Sequence, residues 1–205
     1  MKNAAISLLL LLTLAACSLG PDKKDAPAMY DFGAAPASSP AQPRIRASVL
    51  VYAVSAPSWL DSNLIVYRLN YQDGARQQTY ANSRWAAPAP ALITERLRAR
   101  LAATSDGGII GVADSARAEY ALRVELEDFS QVFDTAGTSR AVVVARATIV
   151  DVARRKLHAQ KTFTLEKPAA APNAEGGVRA LADASSELVD AIVAWTTASL
   201  ARDRK

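Results

Sequence analysis

The sequence predicts an α+β fold, a mostly antiparallel sheet packed against two helices, behind an N-terminal export signal and a Pro/Ala-rich tether. Residues 120–129, 140–152 and 157–165 alternate apolar and polar side chains across short turns, which reads as three consecutive antiparallel strands. Residues 91–104 and 178–201 repeat apolar side chains at helical spacing: Ile93, Leu97 and Leu101 in the first, Leu181, Leu188, Ile192 and Trp195 in the second. Two helices with one apolar stripe each need a sheet face to bury against, and that is a two-layer α+β domain.

The elements follow in order. Lys2 precedes an apolar run over residues 4–12, which ends in Leu14-Ala15-Ala16-Cys17. A basic start, an apolar stretch of about 7–15 residues and a small-residue cut site define a secretory signal peptide, here residues 1–16. The run is shorter than the about 20 apolar residues that cross a bilayer. Leu14-Ala15-Ala16-Cys17 resembles the bacterial lipobox, so residues 1–16 are expected to be a lipoprotein signal peptide. In that pattern the cysteine thiol is alkylated with diacylglycerol and becomes the first residue after cleavage, which makes Cys17 the expected lipid attachment site. Each buried acyl methylene contributes ~0.8 kcal/mol, so several chains together hold a domain firmly on a membrane. Residue 18 is serine, whereas an aspartate there favours inner-membrane retention in Gram-negative lipoproteins. The expected location is therefore the outer membrane, facing the periplasm.

Cys17 is the single cysteine of the 205-residue chain, so no internal disulfide forms and no other thiol is available for catalysis. Residues 17–43 form the tether, with Pro21, Pro27, Pro36, Pro40 and Pro43 among alanines and serines; only Met29-Tyr30-Asp31-Phe32 alternates like a short edge strand. The domain is expected over residues 44–205. Residues 45–54 begin alternating and become wholly apolar, a strand covered on both faces at its end. Residues 64–69 and 77–81, joined through Asp73-Gly74, form a hairpin. Pro88 and Pro90 suit the start of the first helix and Gly107-Gly108 its stop. Residues 109–112 are a further short strand. The long final helix carries Trp195 on its apolar stripe, which places that ring in the core.

Few residues invite chemistry. Net charge is +4, with basic and acidic side chains interspersed, which disfavours nucleic acid as a partner. The one histidine, His158, falls on the polar side of its strand and has neither a second histidine nor a cysteine with which to hold a metal. No Gly-x-Ser-x-Gly elbow is present. Glu125 and Glu127 point the same way from one strand, as a glycosidase pair does, but solvated charge beside Arg123 is the favoured reading. Neither an enzyme nor a cofactor is expected.

Several short motifs occur in a telling order. The lipobox is followed by Tyr30-Asp31-Phe32, then by Tyr67-Arg68 near a strand end, then by the Tyr-x(4)-Trp-x-x-Pro run from Tyr80 to Pro88. Over residues 29–200 this arrangement resembles the ABC-type transport auxiliary lipoproteins, the lipoprotein partners of MCE-type intermembrane lipid transport systems. The resemblance implies a binding role without catalysis, MCE-family protein and ABC transporter components as partners, and attachment to the membrane through N-terminal acyl chains. Arg84, Trp85, Tyr80 and Arg68 are the candidate docking residues, because arginine and large aromatics dominate binding hot spots; Trp85 as a cap on the core is the structural alternative. Two other functions stay open at this point: a structural or assembly lipoprotein of another envelope complex, and a module that itself binds lipid.

Overall fold

A computed structural model describes residues 26–34 and 44–201; the signal peptide, Cys17 and most of the tether lie outside the described residues. Eight strands form one sheet: β1 (Ala28–Tyr30), β2 (Val49–Val51), β3 (Leu64–Leu69), β4 (Gly74–Trp85), β5 (Ile109–Ile110), β6 (Tyr120–Thr135), β7 (Thr138–Asp151) and β8 (Lys156–Pro168). Two long helices, α1 (Ala89–Thr104) and α2 (Ala174–Ala201), accompany a single helical turn at Asn70–Asp73.

The sheet is mixed, which corrects the expectation of a mostly antiparallel one. Four of the seven strand pairings among the described residues are parallel: β1 with β4, β2 with β5, β2 with β6, and β3 with β6. The β3–β4 hairpin and the β6–β7–β8 meander are antiparallel as expected and carry the long ladders. The parallel pairings have a topological cause. Strand β6 runs 16 residues, so one of its edges holds β7 while the other holds β2 at Tyr120–Leu122 and β3 at Gln131–Phe133, end to end. The chain reaches β6 from β3 through β4, α1 and β5, a crossover long enough for parallel pairing. Apolar–polar alternation carries no information on strand direction, so the local pattern was silent on this point.

Both helices cover one sheet face. Ile93, Leu97 and Leu101 of α1 and Leu181, Leu188 and Ile192 of α2 are fully buried against Leu122, Val124, Leu126 and Phe129 of β6 and Val143 and Ile149 of β7. Small residues at Ala141, Ala145 and Ala147 of β7 leave room for the large side chains of the helices, as close packing of a core demands. Two bulges set the facing. Glu127 is an extra residue between the pairs Leu126–Ala145 and Asp128–Val144, so both Leu126 and Phe129 point inward. His158 is an extra residue between Ala159 and Leu157, the partners of Ile149 and Val150. That second bulge reverses the expected facing at the start of β8: Leu157 is 63% exposed, and His158 lies against Ser199 O of α2, 3.2 Å from Nε2.

Asp151 closes the β7–β8 turn, accepting from Arg154 N at 2.8 Å and Arg154 Nη1 at 2.9 Å. The backbone bond, aided by the guanidinium, holds its carboxyl below the ordinary range. The native pKa being the lower one, this contribution is complete above the ordinary carboxylate range and is lost as pH falls through the lowered value.

Trp195 is half-buried rather than fully enclosed, with its ring edge-to-face on Phe163 at 5.9 Å. Trp195→Ala is expected to cost about 2 kcal/mol, below the ~3–5 kcal/mol of an enclosed tryptophan. Urea denaturation checks this, and a loss above 4 kcal/mol would mean that the ring is enclosed.

Candidate docking site

Strand β4 carries three of the four sequence-derived candidates, Tyr80, Arg84 and Trp85, and turns them in different directions. Trp85 is 1% exposed. Its ring packs edge-on against Phe32 at 5.4 Å and Phe129 at 5.7 Å. A side chain enclosed in this way cannot touch a partner of the folded domain, so Trp85 is corrected from docking candidate to core residue. The physical reason is that the 26–34 segment lies along β4, pairing Tyr30 with Trp85, and brings Phe32 over the indole.

Tyr80 also points inward. Its hydroxyl donates to Gln131 Oε1 at 2.8 Å, and its ring lies 4.6 Å from that of Tyr67. Burial, then the neighbouring Tyr67 phenol, raise its pKa to about 12. Gln131 is fully buried and donates from Nε2 to Ser139 Oγ at 2.8 Å and Asn173 O at 3.2 Å. The network ties β4, β6, β7 and the entry to α2 together, and satisfied buried polar groups of this kind specify one arrangement of the elements. Arg84 pairs across the sheet with Leu64 and Met29 and donates from Nη1 to the carbonyls of Tyr80 and Ser83. Arg68 sits over the Trp59 ring, 5.5 Å from its centroid. The four residues do not form one surface.

The residues weighed for catalysis have partners. Arg146 of β7 reaches Glu125 Oε2 at 2.8 Å and Glu127 Oε1 at 3.0 Å, so Arg146 rather than Arg123 balances that pair. The Arg123 guanidinium instead lies 4.6 Å from the centroid of the Tyr52 ring. Among the described residues, no group of three or more His, Cys, Asp or Glu is placed to hold a metal ion, and no helix is long and apolar enough to cross a membrane.

A concavity lies elsewhere, between the two helices and the 31–33 segment. It measures about 380 Å³ and is lined by Phe32, Leu92, Ala99 and Val189, with Asp31, Glu95, Arg96, Arg100 and Asp190 around them. Arg96 ties its walls together, donating to Ser186 Oγ of α2 at 2.7 Å and to the carbonyls of Phe32 at 3.0 Å and Gly33 at 2.6 Å. Burial lowers its pKa and the Asp31 carboxylate partly restores it. Arg100 Nε meets Asp190 Oδ1 at 2.6 Å. Reading α1 as an amphipathic helix placed Glu95, Arg96 and Arg100 off the apolar stripe; nothing local signals that α2 and a segment some 60 residues upstream close around them.

Comparison with solved structures finds the same fold in other proteins. A Xanthomonas campestris protein superposes with a TM-score of 0.72 at 20% identity, covering 86% of this chain and 98% of that one. A hypothetical Chlamydia trachomatis protein superposes at 0.53 with 11% identity, covering 76% and 98%. No curated protein matches the sequence. Residues 30–193 match the family described as ABC-type transport auxiliary lipoprotein component. That span runs from the end of β1 through most of α2 and takes in both walls of the groove, and the chain belongs to this family.

Proposed function

We propose that the chain is a non-enzymatic, lipid-anchored accessory component of an MCE/ABC-type intermembrane lipid transport system. In this reading acyl chains on Cys17 hold it in the outer membrane, facing the periplasm, and its folded domain docks the MCE protein of the transport complex there. The observation that carries the reading is the family match over residues 30–193 behind a Leu14-Ala15-Ala16-Cys17 lipobox. The engagement of Glu125 and Glu127 by Arg146, and of His158 by the end of α2, supports a role in binding rather than catalysis.

Anchoring is tested with Cys17→Ser. The variant is expected to accumulate as an uncleaved or soluble precursor, to lose incorporation of labelled fatty acid and to leave the membrane fraction. Unchanged labelling and fractionation would refute lipidation at Cys17. Wild-type protein sedimenting with inner rather than outer membranes would refute the location. The transport role is tested by deletion: loss of this chain is expected to reproduce the envelope-lipid defect caused by loss of the MCE protein, and a normal lipid distribution would point to another envelope complex.

A further inference from the structure

We infer that the groove between α1 and α2 is the docking site for a basic segment of the MCE partner, one that lays a small apolar side chain on Phe32, Leu92, Ala99 and Val189 and sets a lysine or arginine against Glu95. The inference rests on the proposed transport role and names the surface and the chemistry through which that role is carried out.

The rim of the groove is acidic, although the chain as a whole carries +4. Asp31, Glu95 and Asp190 stand around it. Of the two arginines there, Arg96 bonds only neutral acceptors at the base and keeps its charge, which the nearby Asp31 carboxylate offsets, and Arg100 is paired with Asp190. Glu95 is exposed and has no ion-pair partner among the described residues, while half of the Asp190 side chain remains open to solvent. Three carboxylates against two guanidiniums leave one net negative charge at the rim, on Glu95, which attracts a basic partner and opposes wrong ones. It also repels an anionic lipid surface, which recruits basic rather than acidic protein faces.

Size narrows the occupant further. At about 380 Å³ the groove lies at the small end of the ~300–1,000 Å³ typical of ligand pockets. A short apolar stretch of peptide fits that volume, and a lipid with two acyl chains overfills it. Rigidity adds to the case: Arg96 holds α1, α2 and the 31–33 segment in one arrangement, so little ordering is left for binding to impose.

The test uses the full lipidated chain in detergent and, as probe, the purified periplasmic domain of the MCE-family protein from the same organism. Glu95→Lys, at an exposed side chain, is expected to bind about tenfold more weakly with an unchanged melting temperature. Ala99→Trp, which fills the groove, is expected to weaken binding at least as much. Wild-type affinity for Glu95→Lys, or for a folded Ala99→Trp, would overturn the inference, as would loss of binding in Arg84→Glu with both groove variants intact. If Ala99→Trp keeps the MCE domain but loses a fluorescent fatty acid that the wild type binds, the groove is a lipid site and the inference fails. If the wild type does not bind the MCE domain at all, the transport reading fails and this one falls with it.

Discussion

Trp85→Ala is expected to destabilise the domain by about 3–5 kcal/mol, the range for a large aromatic removed from a closed core. The indole is 1% exposed and wedged between Phe32 and Phe129. Its loss therefore opens a void between the 26–34 segment and the sheet, which those small shifts available to packed neighbours do not close. Edge-to-face contacts worth about 0.5–1.5 kcal/mol per pair are lost as well. Against a total stability of ~5–15 kcal/mol this is a large fraction, and at about 2–4 °C per kcal/mol the melting temperature falls by roughly 10 °C. A local effect is expected alongside the global one. Because Phe32 packs on Trp85 and the backbone of Trp85 pairs with Tyr30, the 26–34 segment should become sensitive to proteolysis well below the melting temperature. Calorimetry and limited proteolysis check the two effects, and a melting temperature within 2 °C of wild type would show that the indole does not hold the core.

Gly107→Ala is expected to cost about 3 kcal/mol or more, by a different mechanism. A methyl group at this position would overlap the backbone carbonyls of Arg46 and Ala47. Backbone overlap is not relieved by turning a side chain, so the α1–β5 loop and the lead into β2 must separate. They are held together by several bonds: Ile45 N to Thr104 O at 3.0 Å, Asp106 N to Ile45 O at 2.7 Å, and Arg44 Nε to Asp106 Oδ1 at 2.6 Å. Neighbouring Gly108 is the control. It has φ +93° and open space where a Cβ would stand, so Gly108→Ala carries a conformational cost of about 1–2 kcal/mol and no overlap. Urea midpoints of the two variants separate the mechanisms, and equal losses would rule out the close approach at Gly107.

Much of the local structure was legible because it is written in short-range patterns. Residues 64–69 are a strand in the sequence reading and in the structure. The α1 stripe of Ile93, Leu97 and Leu101 is fully buried, and so are Leu181, Leu188 and Ile192 of α2. Other elements differ in extent. The single strand expected over residues 45–54 is only Val49–Val51, flanked by isolated bridges at Ile45 and Ser55. Strand β6 runs six residues past its expected end because the bulge at Glu127 restores the inward facing that simple alternation would lose.

The candidate site was less legible, and for a physical reason. Hot-spot composition identifies residue types that bind well when exposed, but exposure is decided by what covers them. Trp85 and Tyr80 carry hot-spot chemistry but are covered, one by Phe32 and the other by Gln131 and Tyr67. Conversely, Glu95, Arg96 and Arg100 look like ordinary polar positions of an amphipathic helix until Ser186, Val189 and Asp190 of α2 stand opposite them.

By itself, then, the sequence determined the two long helices, the β3–β4 hairpin, the meander, Cys17 as its single cysteine, and the family, because each depends on residues close together in the chain. Tertiary structure alone decided that β2 and β3 share one edge of β6 in parallel, that His158 turns toward α2, that Trp85 is core, and that a groove with an acidic rim opens between the helices. Each of these depends on which distant segment arrives alongside, and period-2 and period-3.6 patterns are the same whichever neighbour that is.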